Sequence, residues 1–319
     1  MSSSRRLLAL LATTSTLLVP AAAHSHIAYV IINGLLYPGF DPTGRTNPVP
    51  SNHVGWITTA SDDGFVPPSN YTTPDIICHR GGAPSKAHAP VRAGDKIHIQ
   101  WNGWPESHRG PVQSYLAPCS QDDGCASVNK TQLEWTKIDD SSPVYMGGQD
   151  VPTGEMGTWV TDTLIGNNNS WTVGLPPNLE PGPYVLRHEI IALHYAHSMQ
   201  DGAQNYPQCV NLWVEAAADT EEKGNGGRQG GGDEGGLLSL EEEGEGLPAT
   251  ELYGAADPGV TIDIYDTVTS YEIPGPTVVA GAAPVPAEEQ SQSLSMGMGT
   301  PVVVVDKTRT VPFPRETGK

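Results

Sequence analysis

Short runs of alternating apolar and polar residues, separated by turn residues, dominate this sequence. In "DKIHIQW" the apolar residues Ile97, Ile99 and Trp101 alternate with polar ones, which is the pattern of a strand with one buried face. Similar β-like runs are "HIAYVII", "SWTVGL", "YVLRHEIIAL" and "CVNLWVEA". Long helical periodicity is missing, and the chain contains 36 Gly and 29 Pro. The pattern predicts an all-β protein, an antiparallel β-sandwich of immunoglobulin or fibronectin type with long loops.

The first residues have the pattern of a secretory signal. Arg5 and Arg6 precede an apolar run over 7–19, and three alanines follow at 21–23. This run is short and interrupted by Thr and Ser, so it is a poor membrane span. We expect a signal peptide over 1–23, a mature chain that begins at His24, and a secreted protein without a membrane segment.

Composition changes again toward the C-terminus. Residues 216–248 are rich in Gly and acidic side chains, which cannot bury enough apolar surface to offset the entropy of ordering. We therefore expect a sandwich domain over 24–276 with a disordered insertion at 216–248. Residues 277–319, rich in Pro, Ala and Ser, are predicted to be a low-complexity, disordered C-terminal tail.

Charge and cysteine content narrow the class of protein. The chain has 36 acidic and 17 basic residues, so nucleic acid is excluded as a partner. Four cysteines suit two disulfides in an oxidising compartment, and sequence alone allows three pairings. The short loop "CSQDDGC" favours a Cys119–Cys125 bridge, which leaves Cys78 to pair with Cys209. Sequons at Asn70, Asn129 and Asn168 are candidate glycosylation sites.

Cleavage after residue 23 would make His24 the first residue and so a candidate metal ligand. A terminal histidine offers its α-amino nitrogen and its ring nitrogen to one metal, and a second imidazole completes a nitrogen set that suits copper. His108, in the loop "WNGWPESHRG", is the candidate for that imidazole. By parity His188 and His194 share one face of a strand, and Gln204 and Tyr206 share one face of the next extended run.

Several motifs in order carry a resemblance to a known family. They are "VIINGLLYPGFDP", "PDIICHRGGAP", "APVRAGDKIHIQW", "WPESHRGPV", "LRHEIIALH", "GAQNYPQC" and "LYGAADPGVTIDIYDTVTSYEIPGP". Together they cover His24 to about Pro276, apart from the acidic insertion. The chain resembles fungal lytic polysaccharide monooxygenases of auxiliary-activity family nine, formerly placed in glycoside hydrolase family sixty-one.

The resemblance implies a ligand set and a reaction. One copper ion is held by the amine and ring of His24 and by His108, with Tyr206 as a weak axial oxygen donor. His194 and Gln204 hydrogen-bond to the oxygen species and supply protons, although His188 competes with His194 for this role. The implied disulfides are Cys78–Cys209 and Cys119–Cys125.

The implied reaction is oxidative cleavage of cellulose or a related β-1,4-glucan at C1, C4 or both. It uses O₂ or H₂O₂ and an external electron donor, either a small reductant or a secreted dehydrogenase. We expect a monomer that lies flat on the polysaccharide surface, with Tyr253 and Tyr37 as candidate rings for stacking on sugars. The alternative is a non-catalytic copper- or polysaccharide-binding protein of the same fold.

Two hydrolytic alternatives are disfavoured by the sequence. A glycoside hydrolase needs two carboxylates at a defined separation, and no such pair can be placed. A zinc hydrolase lacks an HExxH motif and a third convincing protein ligand.

Overall fold

Two β-sheets packed face to face form the body of the protein in this computed structural model, which describes residues 25–44, 50–141, 157–198, 202–215, 237–240, 246–266, 268–306 and 308–314. Helices are few and short. No helix in these described ranges is both long and apolar enough to cross a membrane. The strands are β1 (Ile27–Ile32), β2 (Leu35–Pro38), β3 (Ala89–Arg92), β4 (Lys96–Trp101), β5 (Val112–Pro118), β6 (Glu134–Ser141), β7 (Ser170–Gly174), β8 (Gly182–Ala192), β9 (Gln204–Glu215), β10 (Leu247–Pro248), β11 (Gly297–Met298), β12 (Val302–Asp306) and β13 (Arg309–Pro312); the helices are α1 (Asp75–Cys78), α2 (Val160–Gly166) and α3 (Pro258–Thr261), with 3-10 turns at Pro68–Asn70, Lys130–Gln132, Ala249–Glu251 and Ala287–Glu289.

The sheet order confirms the predicted sandwich. The first sheet runs β11-β2-β1-β4-β7 and the second runs β10-β6-β5-β8-β9-β3, while β12 and β13 form a separate hairpin. Neighbouring strands are antiparallel, except that β11 pairs parallel with β2 and β3 pairs parallel with β9. The five runs identified from alternation correspond to β1, β4, β7, β8 and β9.

A two-residue turn fixes the register of the first hairpin. Asn33 and Gly34 both have positive φ, 49° and 78°, and connect Ile32 of β1 to Leu35 of β2. This is the backbone that a tight antiparallel hairpin favours, because its twist matches that of the flanking strands. The turn therefore sets which residues of β1 face the core.

Apolar clusters lie on both faces of the second sheet. The cluster between the sheets includes Ile97, Ile99, Trp101, Trp171, Leu186 and Val210. The other cluster packs α1 and the segment 249–264 against the outer face of the second sheet, and it includes Ile76, Tyr115, Trp135, Val185 and Val260. The long strand β8 is buried along its whole length as a result.

The C-terminal extension packs against both edges of the first sheet, at β7 through Gln290 and at β2 through β11. The side chain of Gln290 bonds to both the backbone N–H and the carbonyl of Thr172, which pairs with His98 across β4 and β7. Val279, Val285 and Val304 are buried. His98, which alternation places on the solvent side of β4, is only 2 % exposed.

Two expectations of disorder are therefore corrected. The described residues of the tail, 277–306 and 308–314, are ordered, because Gln290 bonds to β7, β11 pairs with β2, and the three valines are buried. Within the predicted insertion, Leu238 and Leu240 are buried and β10 pairs with β6. The remainder of that insertion, 216–236 and 241–245, lies outside the described residues.

A buried carboxyl between the sheets makes stability depend on pH. Asp139 accepts a hydrogen bond from the Trp171 indole at 3.2 Å, and burial raises the pKa of Asp139 from 3.8 to about 7. The folded chain thus holds this proton more tightly than the unfolded chain. Below about pH 4 both states are protonated, and stability is lost as the pH rises from there to 7.

Replacement of Asp139 by Asn is expected to remove this loss. We expect D139N to raise the free energy of unfolding by about 2–4 kcal/mol at pH 7 and to leave it unchanged at pH 3. Urea unfolding of both proteins at the two pH values measures the difference. An equal difference at both pH values would show that the carboxyl does not titrate as described.

Candidate metal centre

Loops at one end of the sandwich bring two imidazoles into contact. His108 ends the loop that follows β4, and the indole of Trp104 donates to the His108 carbonyl at 2.8 Å. His194 follows β8, in a turn that begins where the Leu193 N–H donates to the Arg109 carbonyl at 2.8 Å. The rings of His108 and His194 are 4.0 Å apart. Both side chains are buried, with 5 % and 7 % exposed.

The parity argument for His188 and His194 is wrong. β8 ends at Ala192, so the alternation of the strand does not extend to His194. His188 points between the sheets, where its Nδ1 lies 3.0 Å from the Ser114 hydroxyl and its ring contacts Trp101. Burial lowers the pKa of His188 to about 3, so it is a neutral core residue. The structure places His194, and not His188, beside His108.

Gln204 and Tyr206 lie on one face at the start of β9, as their parity predicts. The Tyr206 hydroxyl donates to Gln204 Oε1 at 3.0 Å, and its ring packs against Trp104 at 5.0 Å and His108 at 6.3 Å. Burial raises the pKa of Tyr206, so the phenol stays protonated. A neutral phenol whose proton is directed to Gln204 is a weak oxygen donor.

A buried charge network on the opposite face fixes the start of β9. Asn205 donates to Glu189 Oε1 at 2.8 Å, and Arg187 donates to both oxygens of Glu189 at 2.9 and 3.0 Å. The guanidinium also donates to the carbonyls of Ile76 and Ile77 in α1. With Asn205 held on one side, Gln204 and Tyr206 must face the other, toward His108.

The chain enters the fold beside the loop that carries His108. Asn102 Oδ1 accepts hydrogen bonds from the Ser25 hydroxyl at 2.5 Å and from the His26 N–H at 3.0 Å. Asn102 directly follows β4 and begins the loop that ends at His108. His24, the predicted first ligand residue, lies outside the described residues, which begin at Ser25.

The donor set fits the copper centre that the resemblance implies. An imidazole nitrogen from His108 and a neutral phenol oxygen from Tyr206 are donors that could hold a copper ion. Within the described part of the chain, no group of three His, Cys, Asp or Glu side chains is arranged to hold a metal ion. Residue 24, which the resemblance implies as a further ligand, directly precedes Ser25 in the chain.

The structure corrects the candidate stacking rings. Tyr37 is 3 % exposed and lies beneath Gly299 of the extension. Tyr253 is 5 % exposed and donates to Glu189 at 2.5 Å. Neither ring is available to a sugar, because the first is covered by the tail and the second belongs to the charge network.

Two other tyrosines, missed in the sequence, are exposed near the imidazoles. Tyr195 is 53 % exposed, and its ring lies 4.6 Å from His194. Tyr265 is 51 % exposed and contacts His197 at 6.0 Å. Tyr195 directly follows His194, and Tyr265 lies between Ile264 and Asp266, so the neighbouring residues in the sequence do not mark either ring as exposed.

Both predicted disulfides are confirmed. Cys78 at the end of α1 is bonded to Cys209 in β9, with Cα atoms 5.3 Å apart, and Cys119 is bonded to Cys125 with Cα atoms 5.2 Å apart. The first bond ties α1 to β9 three residues beyond Tyr206. Of the candidate glycosylation sites, Asn129 and Asn168 are exposed and Asn70 is half-buried.

The fold and this cluster define a class, a disulfide-linked β-sandwich with imidazoles and a phenol gathered at one end. The profile of Auxiliary Activity family 9 (formerly GH61) matches residues 24–271, and the chain belongs to this family. The family consists of lytic polysaccharide monooxygenases, so the chain is an oxidative enzyme that acts on polysaccharides. The resemblance carried by the sequence motifs is thereby confirmed.

Relatives and solved structures agree with this membership. The chain is 44% identical over 273 residues to AA9 family lytic polysaccharide monooxygenase I of Botryotinia fuckeliana (strain B05.10), covering 85% of this chain and 90% of that protein. The extended catalytic domain of a lytic polysaccharide monooxygenase from H. jecorina is 43% identical, with a TM-score of 0.71, and the match covers 88% of this chain and 100% of that domain. A cellulose-active polysaccharide monooxygenase from M. thermophila is 25% identical, with a TM-score of 0.62, over 81% of this chain and 100% of that one.

Proposed function

We propose that this protein is a copper-dependent monooxygenase that cleaves β-1,4-glucan chains of cellulose at C1, C4 or both. The observation that carries this proposal is the cluster of His108, His194, Gln204 and Tyr206 beside the point where the chain enters the fold. Cellulose as substrate is supported by the M. thermophila relative, which is described as cellulose-active.

Copper is proposed to bind to the amine and ring of His24, to the ring of His108 and weakly to Tyr206. Copper held there supplies the one-electron chemistry that activates O₂ or H₂O₂ after reduction by an external donor. The protein residues around it orient the ligands, bind the oxidant and exclude water. The hydroxyl of Ser107 lies 3.1 Å from His108 Nδ1 and helps to orient the ring.

Gln204 and His194 are proposed to bind the oxidant and handle its protons. The Gln204 oxygen accepts from Tyr206, so its amide nitrogen is the group that can donate to the oxidant. His194 stacks on His108 at 4.0 Å, close enough to hold or release a proton beside the site. The buried rings of Trp104 and Tyr206 keep water from the inner side of the cluster.

Sugar contact is proposed for Tyr195 and Tyr265. Their exposed rings lie on the side of His194 and His197, where a flat polysaccharide surface can approach. Aromatic rings pack on the apolar faces of sugars, and the hydroxyl remains in water. We further propose that the protein is a secreted monomer, with a signal peptide at 1–23 and a catalytic domain at 24–276, and that a small reductant or a secreted dehydrogenase supplies electrons.

The geometry disfavours a glycoside hydrolase. Glu189, one of the carboxylates in the conspicuous motifs, is fully buried and bonded to Arg187, Asn205 and Tyr253. A carboxylate held in this way cannot act as an acid or nucleophile toward a sugar. Glu106 lies on the exposed loop before His108.

Product analysis tests the proposal. The chain that begins at His24, loaded with copper and supplied with ascorbate and O₂, is expected to release cello-oligosaccharides with lactone, aldonic acid or C4-ketone ends. Mass spectrometry identifies these ends, and H108A is the matched control that should release at least about 100-fold less because a ligand is lost. Ordinary reducing ends alone would point to hydrolysis, and binding without products would leave the non-catalytic alternative.

A further inference from the structure

Two side chains hold the residues that follow His24, and we call this arrangement the Asn102–Asp63 clasp. Asn102 Oδ1 accepts from the Ser25 hydroxyl at 2.5 Å and from the His26 N–H at 3.0 Å, and the Asn102 N–H donates to the His26 carbonyl at 3.0 Å. Asp63 Oδ1 lies 2.6 Å from His26 Nδ1. Ser25 and His26 are buried, so water does not compete for these contacts.

The sequence His24-Ser25-His26 could bind copper in a second way. A free chain terminus with histidine at its third position offers Cu(II) four nitrogens in a plane, from the amine, two backbone amides and the third residue's ring, and tetragonal nitrogen sets suit this ion. The amide protons pass to the buffer when the metal binds. Such binding uses the His26 ring through Nδ1 and does not need His108.

The clasp occupies both atoms of His26 that this alternative requires. The amide nitrogen of residue 26 is the donor to Asn102, and Nδ1 is the ring atom bonded to Asp63. On the other side of the ring, Asp41 Oδ1 lies 3.7 Å from Nε2. The ring is thus held between two carboxylates.

Asp63 is itself held in place by its backbone. Its φ of 54° lies in the left-handed region, which is uncommon for residues other than Gly, although Asp tolerates it. The Asp63 N–H donates to the Ala60 carbonyl at 2.8 Å, which closes a tight turn and leaves the carboxylate 2 % exposed. A strained conformation of this kind persists where the surrounding structure determines it.

We infer that the clasp withholds His26 and its amide nitrogen from copper, so that copper bound at His24 takes its remaining nitrogen from His108. The inference rests on the proposed function and adds to it a choice between two ligand sets. Asn102 is suited to this role because it begins the loop that ends at His108. The loop 102–108 therefore holds the competing ligand, His26, at its first residue and carries the copper ligand His108 near its end.

Copper binding in two backgrounds tests the inference. In the otherwise unchanged chain beginning at His24, H108A is expected to lower Cu(II) affinity by roughly 100-fold, because the ligand is lost. In an Asn102→Ala background the same H108A change is expected to lower it by less than about 5-fold, because the released His26 amide binds copper with the amine and the chelate then competes with Asp63 for His26 Nδ1. Isothermal titration measures affinity, and the Cu(II) absorption should move to shorter wavelength as amide nitrogens bind.

Matched variants separate the outcomes. Asn102→Asp retains the accepting oxygen and should behave as the unchanged chain, while Glu106→Gln on the same exposed loop should have no effect. Asp63→Asn provides a second way to release His26. If H108A lowers Cu(II) affinity by the same factor with and without Asn102→Ala, the inference is wrong. If H108A does not change Cu(II) affinity in the otherwise unchanged chain, the proposed ligand set is wrong instead.

Discussion

Addition of Gly-Ser-Gly-Ser ahead of His24, which keeps His24 from becoming the third residue of a free terminus, is expected to lower the Cu(II) affinity of the mature chain by roughly 100-fold, or about 2.7 kcal/mol. The extension turns the α-amine of His24 into an amide nitrogen and so removes one arm of the proposed chelate. The ring of His24 and the ring of His108 remain. Isothermal titration at fixed pH measures the loss.

The folded body should not change in this extended chain. Ser25 and His26 keep their bonds to Asn102 and Asp63, so the thermal unfolding of the metal-free protein should match that of the unextended chain. Copper affinity of the unextended chain should also weaken below about pH 8, where the amine binds a proton. Equal copper affinity of extended and unextended chains would remove the terminal amine from the ligand set.

Replacement of Glu189 by Gln is expected to lower the free energy of unfolding by about 3–5 kcal/mol. The change leaves the Arg187 guanidinium buried without its counter-charge and weakens the bonds from Asn205 and Tyr253. The expected loss of stability is this large because a buried ion without its counter-charge has lost the stabilisation that water or a partner would give it. Urea unfolding with the disulfides intact measures the change.

A surface ion pair provides the control for that experiment. Glu215 lies 3.7 Å from Arg92, and both side chains are about half exposed. Glu215→Gln should therefore change the free energy of unfolding by less than about 1 kcal/mol. If E189Q lowered the free energy of unfolding no more than this control does, the charge network could not be what fixes the start of β9.

Much of the fold could be predicted because strand alternation is local. The apolar residues of "DKIHIQW" identify β4 and its core face without knowledge of any neighbour. The contacts of the C-terminal extension could not be predicted in this way, since they join segments as much as 118 residues apart. Gln290 reaches Thr172 only in the folded chain, and nothing in its own low-complexity surroundings indicates this.

In the candidate site, too, some residues could be predicted from local pattern and others only from tertiary contacts. Gln204 and Tyr206 are two residues apart, so parity alone places them on one face, and the structure shows their hydrogen bond. His194 lies beyond the end of β8, where parity no longer applies, and its partnership with His108 depends on how two loops meet. Tyr37 and Tyr253 were misjudged because exposure is a property of what covers a ring, which the residue type does not reveal.

By itself, the sequence determined the sandwich class, the two disulfides and the family, because each depends on local alternation, loop length or the order of motifs along the chain. Only the tertiary structure decided that His194 and not His188 joins His108, that the tail packs against the edges of the first sheet, and that Asn102 and Asp63 hold His26. These are contacts between segments far apart in sequence, and they form only when burial of the common core brings those segments together.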